Sequence, residues 1–173
     1  RNLFHYDGLE KSVEFISSSF IESGYIPEIQ EFKAKSSLLG NLRNAPKDDK
    51  NIYKNIIAEK RGVISPEEII VVGAHYDSVP FVECPAANDN ASGVAAVLAM
   101  AKRFSNLKCA KTIRFAAFTN EEPPYFWTES MGSYVYAKAC KEKNEKIIAM
   151  ITPETIGFYS DKEGSQDYPA PFN

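Results

Sequence analysis

Thiol chemistry is almost missing from this sequence. Its three cysteines, Cys84, Cys109 and Cys140, are widely spaced and form no Cys-x-x-Cys pair. That excludes a disulfide framework and a thiolate zinc site. No apolar run approaches the roughly 20 residues of a membrane-spanning helix. Positive charge is not in excess either: the formal net charge is −3, and no basic run or basic helix face is evident. A nucleic acid or an anionic membrane is therefore not the expected partner. No secretory leader is recognisable, but the chain opens on Arg1 rather than Met, so its start leaves the compartment open. What is present is ordinary globular material, 173 residues with 44% hydrophobic and 25% charged, long enough for one domain with a sizeable core.

Leu9, Val13, Ile16 and Phe20 recur at helical spacing, and Gly24 suits a C-terminal stop, which predicts a first helix over about 8–23. Residues 28–35 and 51–60 read as strands, separated by a polar segment with Asn44, Pro46, Asp48 and Asp49 that suits a loop. Ile69 to Val72 has no polar alternation, the pattern of a strand covered on both faces. Val94, Val97, Leu98, Ala101 and Phe104 mark a second helix. Thr112–Phe118 is β-rich, a helix is expected around Gly132–Lys141, and Ile147–Ile151 reads as a last buried strand. The tail, 160–173, reads as loop. Strands alternating with helices predict a three-layer α/β/α sandwich on a mixed, largely parallel sheet.

The most informative stretch is Val71-Val72-Gly73-Ala74-His75-Tyr76-Asp77-Ser78. A strand ending on His-x-Asp aims an imidazole at the rim of the sheet. Residues 75 and 77 share a face, so Asp77 can orient the ring, as metal-binding histidines usually require. The structural alternative is a hydrogen-bonded strand-end histidine. Asp89 follows in Asn88-Asp89-Asn90-Ala91-Ser92-Gly93, just before the second helix. It suits either a helix N-cap or a carboxylate bridging two ions. Glu121 and Glu122 close the strand 113–118 and should point to opposite sides, one towards metal and one towards water. Pro123 restricts Glu122 to extended geometry, whereas the plain alternative is a solvated acidic turn. Glu154 ends the last apolar strand and faces either solvent or a site. In open α/β sheets that rim is where sites are built. Histidine with carboxylates and no thiolate suits Zn²⁺, and also Mn²⁺ or Co²⁺. A bridging carboxylate suggests two ions about 3.5–4 Å apart, able to polarise a carbonyl and activate water.

Together the pieces 73–78, 88–93, Asn120-Glu121-Glu122 and Glu154-Thr155-Ile156-Gly157 resemble metallopeptidase family twenty-eight, from about residue 50 to 160. That family includes co-catalytic zinc aminopeptidases, glutamate carboxypeptidases and glutaminyl cyclases. The resemblance implies that His75 and Glu154 bind a first zinc, Asp89 bridges, and Glu122 binds a second. It makes Glu121 the general base and acid, and Asp77 the partner of His75. It also implies a cis peptide at Asp89–Asn90. Two departures stand out. Glu154 occupies a position usually held by aspartate, and the family's distal histidine has no counterpart, since the only other histidine is His5. The expectation is a single domain over 1–173, incomplete at its C-terminal end, binding the second ion weakly and turning over little substrate.

The function expected from this resemblance is a zinc-dependent aminopeptidase acting on peptide or amino-acyl substrates. The alternatives are a single-zinc glutaminyl cyclase and a non-catalytic binding domain. Resemblance alone favours a secreted or periplasmic location. Elsewhere the plain readings are preferred: His5 structural or exposed, Cys84 a buried, inert thiol, Trp127 core rather than pocket wall, and the Lys and Glu residues of 138–146 a solvated helix face.

Overall fold

A computed structural model describes residues 1–35, 45–47, 49–80 and 83–165. Asn44, Asp48 and residues 166–173, all within segments read as loop, lie outside the described residues. The elements run α1 (Tyr6–Glu22), β1 (Glu28–Lys33), β2 (Ile52–Lys60), β3 (Ser65–His75), α2 (Ala91–Phe104), β4 (Lys111–Phe118), α3 (Gly132–Glu142) and β5 (Lys146–Ile151). No helix among the described residues is long and apolar enough to cross a membrane.

The sheet follows the order β1-β2-β4-β3-β5. β4 and β5 flank β3 in parallel, whereas β1 and β2 run antiparallel to each other, and β2 to β4. The expected mixed sheet is present, its pairings evenly divided between the two senses. Period-two alternation sorts its side chains. Ile56, Ala58, Val72, Ala74, Phe115 and Ala117 pack on one face with Leu9, Val13, Ile16 and Phe20 of α1 and Val94, Val97 and Ala101 of α2. Ile57, Val71, Ala116 and Phe118 pack on the other face with Tyr136 and Cys140 of α3. α1 ends where Gly24 takes φ +88°, a left-handed turn that glycine adopts without Cβ strain.

This topology gathers the site. His75 is the register partner of Phe118, so the ends of β3 and β4 lie side by side, and β5 ends at the same rim. β2 runs the other way, which brings its first residue, Ile52, and its partner Lys33 in β1 to that rim as well.

β5 is not the buried strand its composition predicts. All six residues are exposed, with Ile148 at 42% and Ile151 at 55%. It is an edge strand, and no described element packs over it, so its apolar run reports hydrophobicity without reporting cover. Nor is 138–146 only a solvated helix face. Glu145 forms a bidentate pair with Arg114, Nη2 to Oε1 at 2.8 Å, and Lys146 meets Glu68 at 2.6 Å.

The contrast is testable by urea denaturation. Phe115→Ala, at a fully buried position, should cost about 3–5 kcal/mol. Ile148→Ala, on the exposed strand, should cost about 0.5 kcal/mol or less.

Candidate metal centre

His75 reaches the rim from β3 with 5% of its surface exposed. Its Nε2 faces three carboxylates from three different segments: Asp89 Oδ1 at 3.1 Å, Glu154 Oε2 at 3.6 Å and Glu121 Oε2 at 3.7 Å. Ligand atoms of His75, Asp89 and Glu154 all lie within 4.8 Å of one another. Nδ1 on the far side of the ring sits 3.4 Å from Asp77 Oδ1, an ion-pair distance without hydrogen-bond alignment. Asp77 is itself buried, and its two oxygens accept the backbone N–H groups of Glu121 at 3.2 Å and Glu122 at 3.0 Å. One carboxylate thus flanks the imidazole and fixes the backbone of the glutamate pair.

Glu121 faces His75, and after burial the largest influence on Glu122 is the charge of Asp89. Local backbone makes this possible. Asn120 takes φ +58°, a left-handed conformation that asparagine tolerates better than most residues, and so turns the chain after β4. The Asp89–Asn90 peptide is cis, as the resemblance implied, and Pro123–Pro124 is cis as well.

The electrostatics are those of a site built around positive charge. Burial acts to lower His75, but the Asp77 carboxylate at its ring and the charges of Glu121 and Glu154 outweigh it and push the imidazole up to about 9. Glu122 is pushed up to about 7 by burial and by the charges of Asp89, Asp77 and Glu121. Burial likewise raises Glu121 and Glu154. Several carboxylates around one imidazole repel one another until a cation offsets them. A hard or borderline divalent ion, Zn²⁺ among them, fits this nitrogen-and-oxygen donor set.

Asn90, which the sequence reading passed over, proves central. It is fully buried. Its Oδ1 accepts from Gly93 N–H at 3.0 Å and Thr155 N–H at 3.3 Å, and its Nδ2 donates to Glu154 Oε2 at 2.8 Å and to Pro153 O at 3.1 Å. Asn90, not Asp89, is the N-cap of α2, so the N-cap alternative for Asp89 is set aside. A Cβ on Gly93 would lie 2.3 Å from Asn90 Oδ1 and 2.4 Å from Pro153 O, so only glycine allows this approach. The signal was available, since asparagine ranks with aspartate as an N-cap, but three candidate caps stand in a row at 88–90. Arg1 was also missed. Its guanidinium donates to the carbonyls of Tyr76 and Ala86, tying down the chain on the way from His75 to Asp89. The core reading of Trp127 is overturned: it is 74% exposed at φ +59° and stacks on Phe126. Cys84 is partly exposed, not a buried thiol.

Fold and side chains together give an α/β sandwich with a histidine–carboxylate cluster on the strand rim, and the comparisons with known proteins place the chain in a family. Residues 55–170 match Peptidase family M28, and the chain belongs to that family. It is 33% identical over 99% of its length to the uncharacterized protein YfbL of Escherichia coli, covering 49% of that protein. It is 42% identical to Aminopeptidase YwaD of Bacillus subtilis, over 54% of this chain and 19% of the other. Among solved structures, a glutaminyl cyclase of an Acidobacteriales bacterium superposes with TM-score 0.69 at 21% identity, over 86% of this chain and 50% of that one. An aminopeptidase from Aneurinibacillus sp. strain AM-1 gives TM-score 0.57 at 19% identity, over 81% and 63%. These two show the fold. The chain spans about half the length of YfbL and a smaller share of YwaD.

Two outcomes follow. Asn90→Ala should cost about 1 kcal/mol through the lost cap and weaken Zn²⁺ binding about tenfold or more through the released Glu154, read by thermal unfolding and metal competition. The second concerns pH. Raised pKa values mean that His75 and Glu122 contribute stability to the metal-free fold when protonated. That stability is fully present below their unfolded values and is lost as pH rises through about 7 for Glu122 and about 9 for His75. Metal-free Tm should therefore fall between about pH 6 and about pH 8, and the Tm gain on adding Zn²⁺ should grow over the same interval because protons compete with the ion. A Zn²⁺ gain that shrinks with pH would contradict this.

Proposed function

We propose that this chain carries the catalytic apparatus of a zinc-dependent exopeptidase acting as an aminopeptidase. One observation carries the reading: carboxylates of Asp89, Glu121 and Glu154, from separate segments, converge within 3.7 Å of Nε2 of the buried His75. His75, Asp89 and Glu154 would hold one Zn²⁺, and Asp89 with Glu122 would serve a second. Bound zinc supplies Lewis acidity at the scissile carbonyl and lowers the pKa of a coordinated water.

The chain's own residues supply the rest. Asp77 holds the ring of His75 in line and, through two backbone N–H bonds, sets where Glu121 and Glu122 begin. Glu121 stands beside the donor cluster with its carboxylate raised by burial. That suits a group which takes a proton from the attacking water and passes it to the leaving amine. Trp127, exposed a few residues beyond the glutamates, offers a flat apolar wall to a substrate side chain. Support from relatives comes through names above 30% identity, Aminopeptidase YwaD of Bacillus subtilis and Aminopeptidase Y of Saccharomyces cerevisiae.

The test is a panel of N-terminal amino-acid amides with zinc present. Glu121→Gln should lower kcat by about 10²–10⁴-fold while metal content stays that of the parent. Asp89→Ala should lose metal and activity together. Full turnover by Glu121→Gln would refute the role of Glu121. Cyclisation of N-terminal glutamine without hydrolysis of any amide would replace the aminopeptidase reading with the cyclase one.

A further inference from the structure

The rim that carries the acidic cluster has a second end with the opposite charge. A 310 Å³ pocket there is lined by Lys35, Lys47, Lys50, Asp49 and Tyr125, among others. Lys35 lies just past the end of β1, and Lys47 and Lys50 just before the start of β2. The register pairs Lys33 with Ile52 and runs β2 antiparallel to β4, so these residues stand at the same edge of the sheet as His75 and Glu121. Lys35 is also joined to the loop after β4, its backbone N–H donating to Ser130 Oγ at 2.7 Å.

Asp49 offsets one of the three lysines in charge, leaving a formal excess of two positive charges in the lining, and its oxygens are turned to other donors. It accepts Asn51 N–H at 2.9 Å, the Tyr53 hydroxyl at 2.6 Å and the Tyr125 hydroxyl. Among the described residues, the ion pairs involve other lysines, Lys54, Lys111 and Lys146, and none involves Lys35, Lys47 or Lys50. Tyr125 joins the two ends of the rim: its hydroxyl reaches Asp49 and its backbone N–H donates to the carbonyl of Glu122 at 3.2 Å. On a chain of net charge −3, a pocket whose described lining carries three lysines, none ion-paired among the described residues, against one carboxylate is a local exception that calls for an anion.

Strand spacing sets the distance. β1 lies two strands from β4 and three from β3, roughly 10–14 Å at about 4.8 Å per step. An extended peptide covers that in about three or four residues at about 3.3–3.6 Å each. We propose that the Lys35–Lys47–Lys50 pocket is a carboxylate subsite, which makes short peptides with an anionic group about three or four residues beyond the scissile bond the preferred substrates. This rests on the hydrolytic reading of the His75 centre and adds the substrate class. The carboxylate is either the peptide's C-terminus or an acidic side chain.

The experiment compares three tetrapeptides with the same first residue: free acid, C-terminal amide, and an amide with glutamate in the last position. At low salt the free acid should show a KM about five- to tenfold below that of the neutral amide, the worth of two or so exposed ion pairs, with similar kcat. The preference should fade as salt rises. In K47Q/K50Q it should fall to near one. A glutamate-amide that behaves as the free acid identifies any carboxylate as the ligand; one that behaves as the neutral amide identifies the C-terminus. Equal KM for all three peptides, or a preference untouched by K47Q/K50Q, overturns the proposal. Binding of the same peptides to Glu121→Gln protein by calorimetry keeps the two readings separable. Tighter binding of the acid, lost in the added K47Q/K50Q background, upholds the pocket even if no peptide is cleaved. No discrimination there rejects the pocket even if cleavage is robust.

Discussion

Like-charge repulsion at the rim is the constraint around which the rest of this structure is arranged. Asp77, Asp89, Glu121 and Glu154 crowd around a single imidazole with Glu122 next in the chain, and the result is an imidazole pushed up to about 9 and a glutamate pushed up to about 7. Such a cluster is unfavourable unless the scaffold holds it or a cation offsets it. Most of the polar architecture nearby holds it. Asp77 is buried yet fully used, taking two backbone N–H groups and flanking the ring. Asn120 turns the chain through a left-handed conformation so that those N–H groups can reach it. Thr155, a β-branched residue at φ +47° next to Glu154, is a rarer exception, and such exceptions concentrate where function over-determines the backbone.

The sheet order explains why so few residues suffice. β3, β4 and β5 are mutually parallel and adjacent, so the residues just after each strand arrive at one edge without long excursions. β1, which runs the same way as β4, also finishes at that edge, and β2, which runs the other way, starts there. An acidic centre and a basic pocket therefore occupy one rim with Tyr125 between them. The separation of charge follows the strand order, with the lysines on the β1–β2 side and the carboxylates on the β4–β3–β5 side.

The convergence of His75, Asp89, Glu121 and Glu154 was legible because each follows an apolar strand or precedes an amphipathic helix. Strand and helix periodicity is a local property that survives in the sequence. The cores were legible for the same reason: Leu9, Val13, Ile16 and Phe20 are all buried where their spacing puts them. What was not legible depended on neighbours. Lys146-Ile147-Ile148-Ala149-Met150-Ile151 has the composition of a core strand, but cover is decided by what packs against it, and β5 is exposed throughout. Trp127 shows the same limit, since an aromatic side chain predicts burial and a turn at φ +59° carries it outward. Asn90 was hidden for another reason. Asn88, Asp89 and Asn90 are equally good caps by residue type, and only the geometry of the helix start chooses among them.

That choice matters most for Glu154. It sits just beyond the least protected strand of the sheet, where, among the described residues, β5 has neither a second neighbour nor a covering layer. Its position is set from outside its own strand. Asn90 grips the carboxylate and the Pro153 carbonyl and accepts the N–H of Thr155, while Asn88 accepts the N–H of Gly157 at 2.7 Å. All of these anchors belong to the start of α2, whose Val94, Val97 and Ala101 are locked into the main core. Gly93 lets the two segments meet closely enough for those bonds to form. The Glu154 carboxylate on the weak edge thus takes its rigidity from the strong interior through one buried asparagine, and the same side chain starts the helix in front of which Asp89 is displayed.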